Sequence, residues 1–368
     1  MDDSPADAAD DPPRGRAVGA PGSLSPALAR TLRRTAHYPL WGVVGVTAVA
    51  VALGPRIEGP IRYLPLAASL VVLGLPHGAV DHLVPDRLAN RDLTRRSLLA
   101  VVALYAVLGT AVLVAWALAP AVTFAGFVAL TWAHWGQGEV YAVLAVSRGR
   151  YPATVRDRVL LATVRGAYPM VLPLVAFPRV YDEVAATVVG LFGPATGLPG
   201  WLVAADVRGR IAAGLAALTV AQLALGRWGI SDGGDDAARR GWRIDVVEVS
   251  LLWAFFLLVP PLLAVGLYFA LWHAGRHVAR LAVLSDGARG ALTRGAVRPA
   301  LRAFARDAAP LTAVSLALLA GLAAVLGVPR GPSAALAVYL VFIAAVTLPH
   351  VVVVAWMDRA QRVWAAAG

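Results

Sequence analysis

Ten apolar runs of bilayer-spanning or near-spanning length leave this chain few folds to choose from. They lie near 38–54, 61–83, 97–118, 120–146, 158–177, 211–226, 244–259, 261–284, 308–327 and 333–356. A helix needs ~20 mostly apolar residues to cross the hydrocarbon core. Inside lipid every backbone N–H and C=O must be satisfied within the protein, so runs of this length become α-helices. The expected fold is therefore all-α: a polytopic transmembrane bundle of about ten helices, eight at the least. Composition agrees, since 59% of the 368 residues are hydrophobic and only 15% are charged, against about a quarter charged in soluble domains.

Charge placement orders the spans. The formal net charge is +11, and arginine carries all of the basic charge because the chain has no lysine. With the N-terminus inside, Arg30, Arg33, Arg34, Arg87, Arg91, Arg95, Arg96, Arg148, Arg150, Arg156 and Arg158 fall in inside segments, as does the run from Arg280 to Arg306. The outside keeps only Arg56, Arg62, Arg179, Arg208, Arg210 and Arg330. The positive-inside rule then predicts both termini in the cytoplasm of a multi-pass plasma (inner) membrane protein. Arginines explained this way give no reason to expect a nucleic-acid partner. Residues 1–30 are rich in Asp, Pro, Ala and Gly, which predicts a disordered tail ahead of a single transmembrane domain over 31–368. The first apolar run has no clear cleavage site and is expected to stay as a span. The 180–206 stretch, broken by Gly-Pro and Pro-Gly, reads as a loop with an interfacial helix.

Six of the seven histidines fall in four clusters inside these runs. They are Pro76-His77-Gly78-Ala79-Val80-Asp81-His82, Trp132-Ala133-His134-Trp135-Gly136-Gln137-Gly138-Glu139, Leu271-Trp272-His273-Ala274-Gly275-Arg276-His277 and Leu348-Pro349-His350. The seventh, His37, sits at the first membrane entry and is expected at the interface with no chemical role. Ionisable groups inside a membrane are costly and mark function when they cluster. The four clusters lie on helices that run from outside to inside, with their first histidines ~18–26 Å along each axis, so they share one level of the bilayer. His273 and His277, four apart, share a helix face and suit one ion. His77 and His82, five apart, cannot both face one centre unless the helix unwinds near Gly78.

Imidazoles suit Zn, Cu, Fe or Ni, and with no cysteine there is no thiolate ligand, disulfide or iron–sulfur cluster. The absence of His-Glu-x-x-His counts against an intramembrane zinc protease. Asp81, Gln137, Glu139 and Asp358 lie close in sequence to the histidines, as outer partners would. Arg276 is expected to snorkel to the cytoplasmic surface. Arg165, Asp245 and Glu248 also fall within spans, with pairing as their one suggested role. Trp132, Trp135, Tyr268, Phe269 and Trp272 bracket two clusters, either as tunnel wall or as ordinary packing.

At these residues the sequence resembles the Brp/Blh-type β-carotene 15,15'-dioxygenases of bacteria and archaea. The likeness rests on Pro-His-Gly-Ala-x-Asp-His at 76–82, Trp-x-His-Trp-Gly-Gln at 132–137, Leu-Trp-His-x-x-Arg-His at 271–277 and Leu-Pro-His at 348–350. It spans about 70 to 358 and leaves out the tail and the loop around 180–206. The resemblance implies cleavage of β-carotene at its central double bond by O₂ to give two retinals, at a histidine-held non-haem Fe(II). It implies His77, His134, His273 and His277 as ligands and catalytic residues. His82 and His350 follow as outer groups or alternative ligands. A microbial rhodopsin is the implied acceptor of the retinal. Three other classes compete, one of them a transporter that would use His and Asp as a proton relay and need no bound metal. A membrane di-metal desaturase or hydroxylase would carry more histidines, with adjacent His-His pairs that this chain lacks. A haem-binding electron-transfer protein would use paired histidines as axial ligands.

Overall fold

The computed structural model describes residues 18–54, 57, 59–230, 235–327 and 331–365. The described residues are almost wholly helical and include no strand. In chain order the helices are α1 (Pro26–Ala36), α2 (Tyr38–Leu53), α3 (Leu64–Ser69), α4 (Gly74–Gly78), α5 (Val84–Leu88) and α6 (Arg95–Leu118). Then come α7 (Pro120–Val146), α8 (Val155–Ala176), α9 (Pro178–Val189), α10 (Gly200–Val203), α11 (Ala205–Trp228) and α12 (Asp236–Leu258). The last are α13 (Pro261–Leu267), α14 (Ala274–Val283), α15 (Asp286–Thr293), α16 (Val297–Leu326) and α17 (Pro332–Ala360).

Seven helical segments are long and apolar enough to cross a membrane: Pro26–Leu53, Gly59–Leu88, Arg95–Leu118, Val155–Ala176, Ala205–Trp228, Val297–Leu326 and Pro332–Ala360. The remaining expected spans coincide with α7, α12 and the continuous helix from α13 to α14. These three carry buried charges: Glu139, then Asp245 and Glu248, then Arg276 and Arg280. They lie at the centre of the bundle.

Local chemistry sets the helix ends. Thr94 caps α6 by accepting from the Ser97 N–H, and Thr154 with Asp157 forms a capping box at the start of α8. α7 and α8 form the most extensive helix pair, and their backbones meet at glycines. A Cβ on Gly136 would sit 2.0 Å from the Ala162 carbonyl oxygen, and one on Gly166 would sit 2.1 Å from that of Trp132. Small residues let membrane helices approach this closely. This is the structural reason for glycine in the Trp-Gly-Gln stretch.

Three local expectations change. The 61–83 run is not one helix: it breaks into α3, α4, a 3₁₀ turn at Asp81–Leu83 and α5. Non-helical backbone at this depth is tolerated where it is enclosed by protein or lines a cavity. The 180–206 stretch begins within helix α9, whose Ala185, Val188 and Val189 are buried, before the chain loops to the short α10. Of the expected tail, residues 1–17 lie outside the described residues. Residues 18–30 are folded, with Leu24 and Leu28 buried beneath α7 neighbours such as Val143. Here the Gln361 side-chain amide donates to the Val18 carbonyl at 3.0 Å, so both ends of the described chain lie at the same end of the bundle.

Candidate metal centre

Four elements bring histidines to one point. α4 presents His77, α7 His134, α17 His350, and the continuous helix from α13 to α14 presents His273 and His277. That helix opens into a π-helical turn over Tyr268–His273, one turn before His277. Single π turns inside α-helices are uncommon and occur often at functional sites. Here Phe269, His273 and His277 stack as a column on one face, with interplanar angles of 16° and 14°. Tyr268, Trp272 and Arg276 stack along the adjacent face.

The rings meet edge to face. His77 lies 5.5 Å from His273, 5.4 Å from His277 and 4.9 Å from His350 between ring centroids. His134 lies 4.9 Å from both His273 and His350, and His277 lies 5.1 Å from His350. Donor atoms of His77, His134 and His273 fall within 4.8 Å of one another, and so do those of Asp81, His277 and His350. All six residues are buried.

The nitrogens are left facing each other. Both ring nitrogens of His134 and the Nε2 atoms of His273, His277 and His350 are buried without a hydrogen-bond partner. Each such orphan costs ~1–3 kcal/mol in an apolar interior. These nitrogens come from four rings, and since each imidazole can offer one ion a single nitrogen, one from each ring could serve a cation while the second nitrogen of His134 stays outside such a set. The outer nitrogens are held. His77 Nδ1 makes a short bond to the Gly74 carbonyl, and His350 Nδ1 meets Asp81 Oδ2 at 2.7 Å. The Tyr105 hydroxyl donates to the same Asp81 oxygen at 2.6 Å. A carboxylate on the far nitrogen fixes ring orientation and tautomer, leaving Nε2 to point inward. Asp81 Oδ1 is itself buried and without a partner.

The structure separates the other candidates. The helix does unwind after Gly78, yet it turns Asp81 to the centre, whereas half-buried His82 holds the Ala79 carbonyl through Nδ1 at 3.1 Å. His350 lies among the rings. Gln137 donates to Asp358 at 2.7 Å, and Asp358 also receives Arg280 at 2.7 Å, so these close the bundle end beside the centre. Glu139 contacts no histidine of the cluster.

Glu139 belongs instead to a buried ion network. Arg165 reaches Glu248 and Asp245 at 2.7 Å each and Glu139 at 2.5 Å. Arg276 reaches Glu139 at 2.9 Å and pairs closely with Glu248. It lies 4.0 Å above the Trp272 ring, whose Nε1 donates to Glu139 at 3.1 Å. Arg276 therefore does not snorkel: it is 5% exposed and turned inward because two carboxylates await it. His37 is likewise no interfacial bystander, since it is buried with Nδ1 2.7 Å from Glu248. Tyr151 and Gln222 complete the shell around Asp245. With Trp41 of α2 donating to Glu248 at 2.9 Å, the network ties α2, α7, α8, α12 and α14 together beside the histidines. The sequence signal was present as opposite charges on separate spans, but not the pairing.

A cavity of ≈ 930 Å³ opens from the rings and is walled chiefly by apolar side chains of α6, α7, α16 and α17. This volume lies near the top of the usual range for ligand sites. His77, His134, His273 and His350 line it, with Trp135 and Phe269 beside them. Of the other expected tunnel aromatics, Trp132 turns to the Thr163 carbonyl, and Tyr268 and Trp272 stack together on the ion-network side. Their helix faces, not their place in sequence, decide this.

Fold and site together define a polytopic helical membrane protein with a buried polyhistidine centre at the end of an apolar cavity. The chain belongs to the β-carotene 15,15'-dioxygenase family, whose model matches residues 68–358. It is 41% identical over 351 residues to the probable beta-carotene 15,15'-dioxygenase Blh of Halobacterium salinarum, covering 93% of this chain and 99% of that protein. It is 30% identical over 363 residues to the probable beta-carotene 15,15'-dioxygenase Brp of the same species, covering 94% and 97%. No solved structure matches the chain.

Proposed function

We propose that this protein cleaves the central double bond of β-carotene with O₂, giving two molecules of retinal, at an Fe(II) held by His77, His134, His273 and His277. It would work in the plasma membrane with both termini cytoplasmic. The observation that carries the reading is the set of orphaned imidazole nitrogens at the blind end of an apolar cavity. When bound, iron supplies the redox centre that makes O₂ reactive toward an alkene.

The protein's own groups do the rest. One C=C bond and the O–O bond break, two C=O bonds form, the polyene carbons are oxidised and O₂ is reduced. The balance closes without a reductase or organic cofactor. The cavity wall holds a hydrocarbon that has no polar handle, so shape and length select it. Trp135 and Phe269, 6.0 Å apart and nearly parallel, flank the rings and would fix a polyene beside them. Burial excludes water from the reacting carbons. His350, oriented by Asp81 and Tyr105, would serve as an alternative ligand or as an outer group beside the iron.

Two results test this. Membranes containing the protein should turn β-carotene into retinal, and an iron chelator should stop turnover, with Fe(II) restoring it better than Zn(II). Zinc restoring it equally well would contradict redox chemistry at the site. Asp81→Asn should weaken iron retention and activity ~10–100-fold, the usual scale for a lost outer carboxylate, read by metal analysis after dialysis. Unchanged metal content and activity would remove Asp81 from this role.

A further inference from the structure

The cavity needs an entrance, and the packing of α16 provides one. The buried residues of α16 are Ala300, Phe304, Ala308 and Thr312, none beyond its midpoint turn, and α16 lies against α4, α14 and α15. Beyond Thr312 it has none, yet Val314, Leu318, Gly321 and Val325 still line the cavity. α6 is similar: Val101 and Trp116 are its buried residues, while Val102 lines the cavity and is 47% exposed. α6 packs closely on α17, and α16 also touches α17, but α6 and α16 make no substantial contact with each other. α17 is therefore the floor of a groove whose two lips are α6 and α16, and His350 lies at its inner end.

Several wall residues are thus also outer-surface residues: Val314 is 51%, Leu318 60% and Val325 84% exposed. At the depth of a spanning helix, that outer surface faces acyl chains. The other approach is polar. A second pocket of ≈ 320 Å³ adjoins the cavity at Val180, Leu262 and Leu336, and it is lined by Arg62, Glu183, Thr187 and Ser333. A hydrocarbon gains nothing by passing charged groups and water when an apolar opening faces the phase in which it dissolves.

We infer that the substrate enters sideways from the bilayer, through the gap between α6 and α16, and slides along α17 to the histidines. This rests on the reading of the substrate as a polyene hydrocarbon. The gap then sets which polyenes pass, by girth at Gly321 and Leu318. Gly321 is the place to narrow it, because a Cβ there meets no atom within 4 Å and a larger side chain costs no packing.

Gly321→Trp, in protein reconstituted in liposomes carrying β-carotene, should lower kcat/KM at least about tenfold, since a ring now occupies space the ligand needs. Bound iron should stay at the wild-type level. Val46→Trp, on the exposed face of α2 away from the cavity, should match wild type. A second measurement needs no turnover. The chain has no cysteine, so Ser315→Cys creates a unique thiol in the groove, and β-carotene in the vesicles should slow its alkylation by a lipid-soluble maleimide. Wild-type kcat/KM in Gly321→Trp, or Ser315→Cys alkylation indifferent to β-carotene, would overturn lateral entry. Failure of the wild-type protein to cleave β-carotene would instead overturn the functional reading beneath it.

Discussion

His273→Ala is expected to leave the protein inserted in the membrane while retinal formation falls at least about a hundredfold, beyond the 10–100-fold typical of a lost outer partner. His273 touches more of the centre than any single neighbour explains. Its ring lies 4.9 Å from His134, 5.5 Å from His77 and 6.4 Å from His277, so it sits between both groups of donors. Removing it takes away one nitrogen and also a wall of the cavity. Metal analysis of the purified variant separates these effects. Lost iron marks a ligand, whereas retained iron with lost turnover marks a residue that shapes the open face. His82→Ala provides the contrast, because its ring is anchored to the Ala79 carbonyl and takes no part in the cluster. Its loss should stay below about tenfold, the lower edge of the outer-partner scale. Near-normal turnover in His273→Ala would remove it from the centre.

Much of this fold could be read from one dimension, because bilayer physics acts on local runs. Apolar length gave the helices their places. The common depth of four histidine clusters anticipated that His77, His134, His273 and His350 would share a level. What local pattern cannot express is which face a helix turns inward after its backbone deviates. Asp81 meets His350 as an outer partner would, while His82 turns to the Ala79 carbonyl, because the chain unwinds between α4 and α5 and resets the angular count. The π turn at Tyr268–His273 acts likewise on the 271–277 cluster, where Trp272 and Tyr268 turn from the cavity while Phe269 and His273 face it.

Charge hides its partners for a different reason. Arg276 alone, one residue before His277, is most cheaply explained by reaching for the surface. It stays inside because Glu139 is 137 positions away in the chain and Glu248 is 28, and the fold brings both to it. A solitary His37 near a membrane entry is ambiguous for the same reason. Its partner Glu248 lies 211 residues onward. Arg165, Asp245 and Glu248 were visible as charges in spans, but their joint role needs the crossing of α8 and α12.

The second large effect is expected from that network. Arg165→Leu should destabilise the protein by ~3–5 kcal/mol, the scale for stripping one partner from a buried ion pair. Arg165 is fully buried, and three carboxylates of three different residues converge on it. Two arginines face Glu139, Asp245 and Glu248, so the cluster is already one positive charge short before His37 is counted. Deleting a further positive charge leaves carboxylates facing one another where no water can screen them. Arg165→Lys should recover only part of the loss, because an ammonium cannot reproduce the fork that reaches Glu139 and Glu248 through one nitrogen and Asp245 through two others. Thermal unfolding in detergent reads the effect directly. Leucine and lysine variants as stable as wild type would show that this interior is wetter than the packing describes. A double variant tests the electrostatic origin. Arg165→Leu combined with Asp245→Asn should regain stability over Arg165→Leu alone, because removing the opposing charge relieves the carboxylate that arginine had neutralised. Packing loss alone would make the double variant worse.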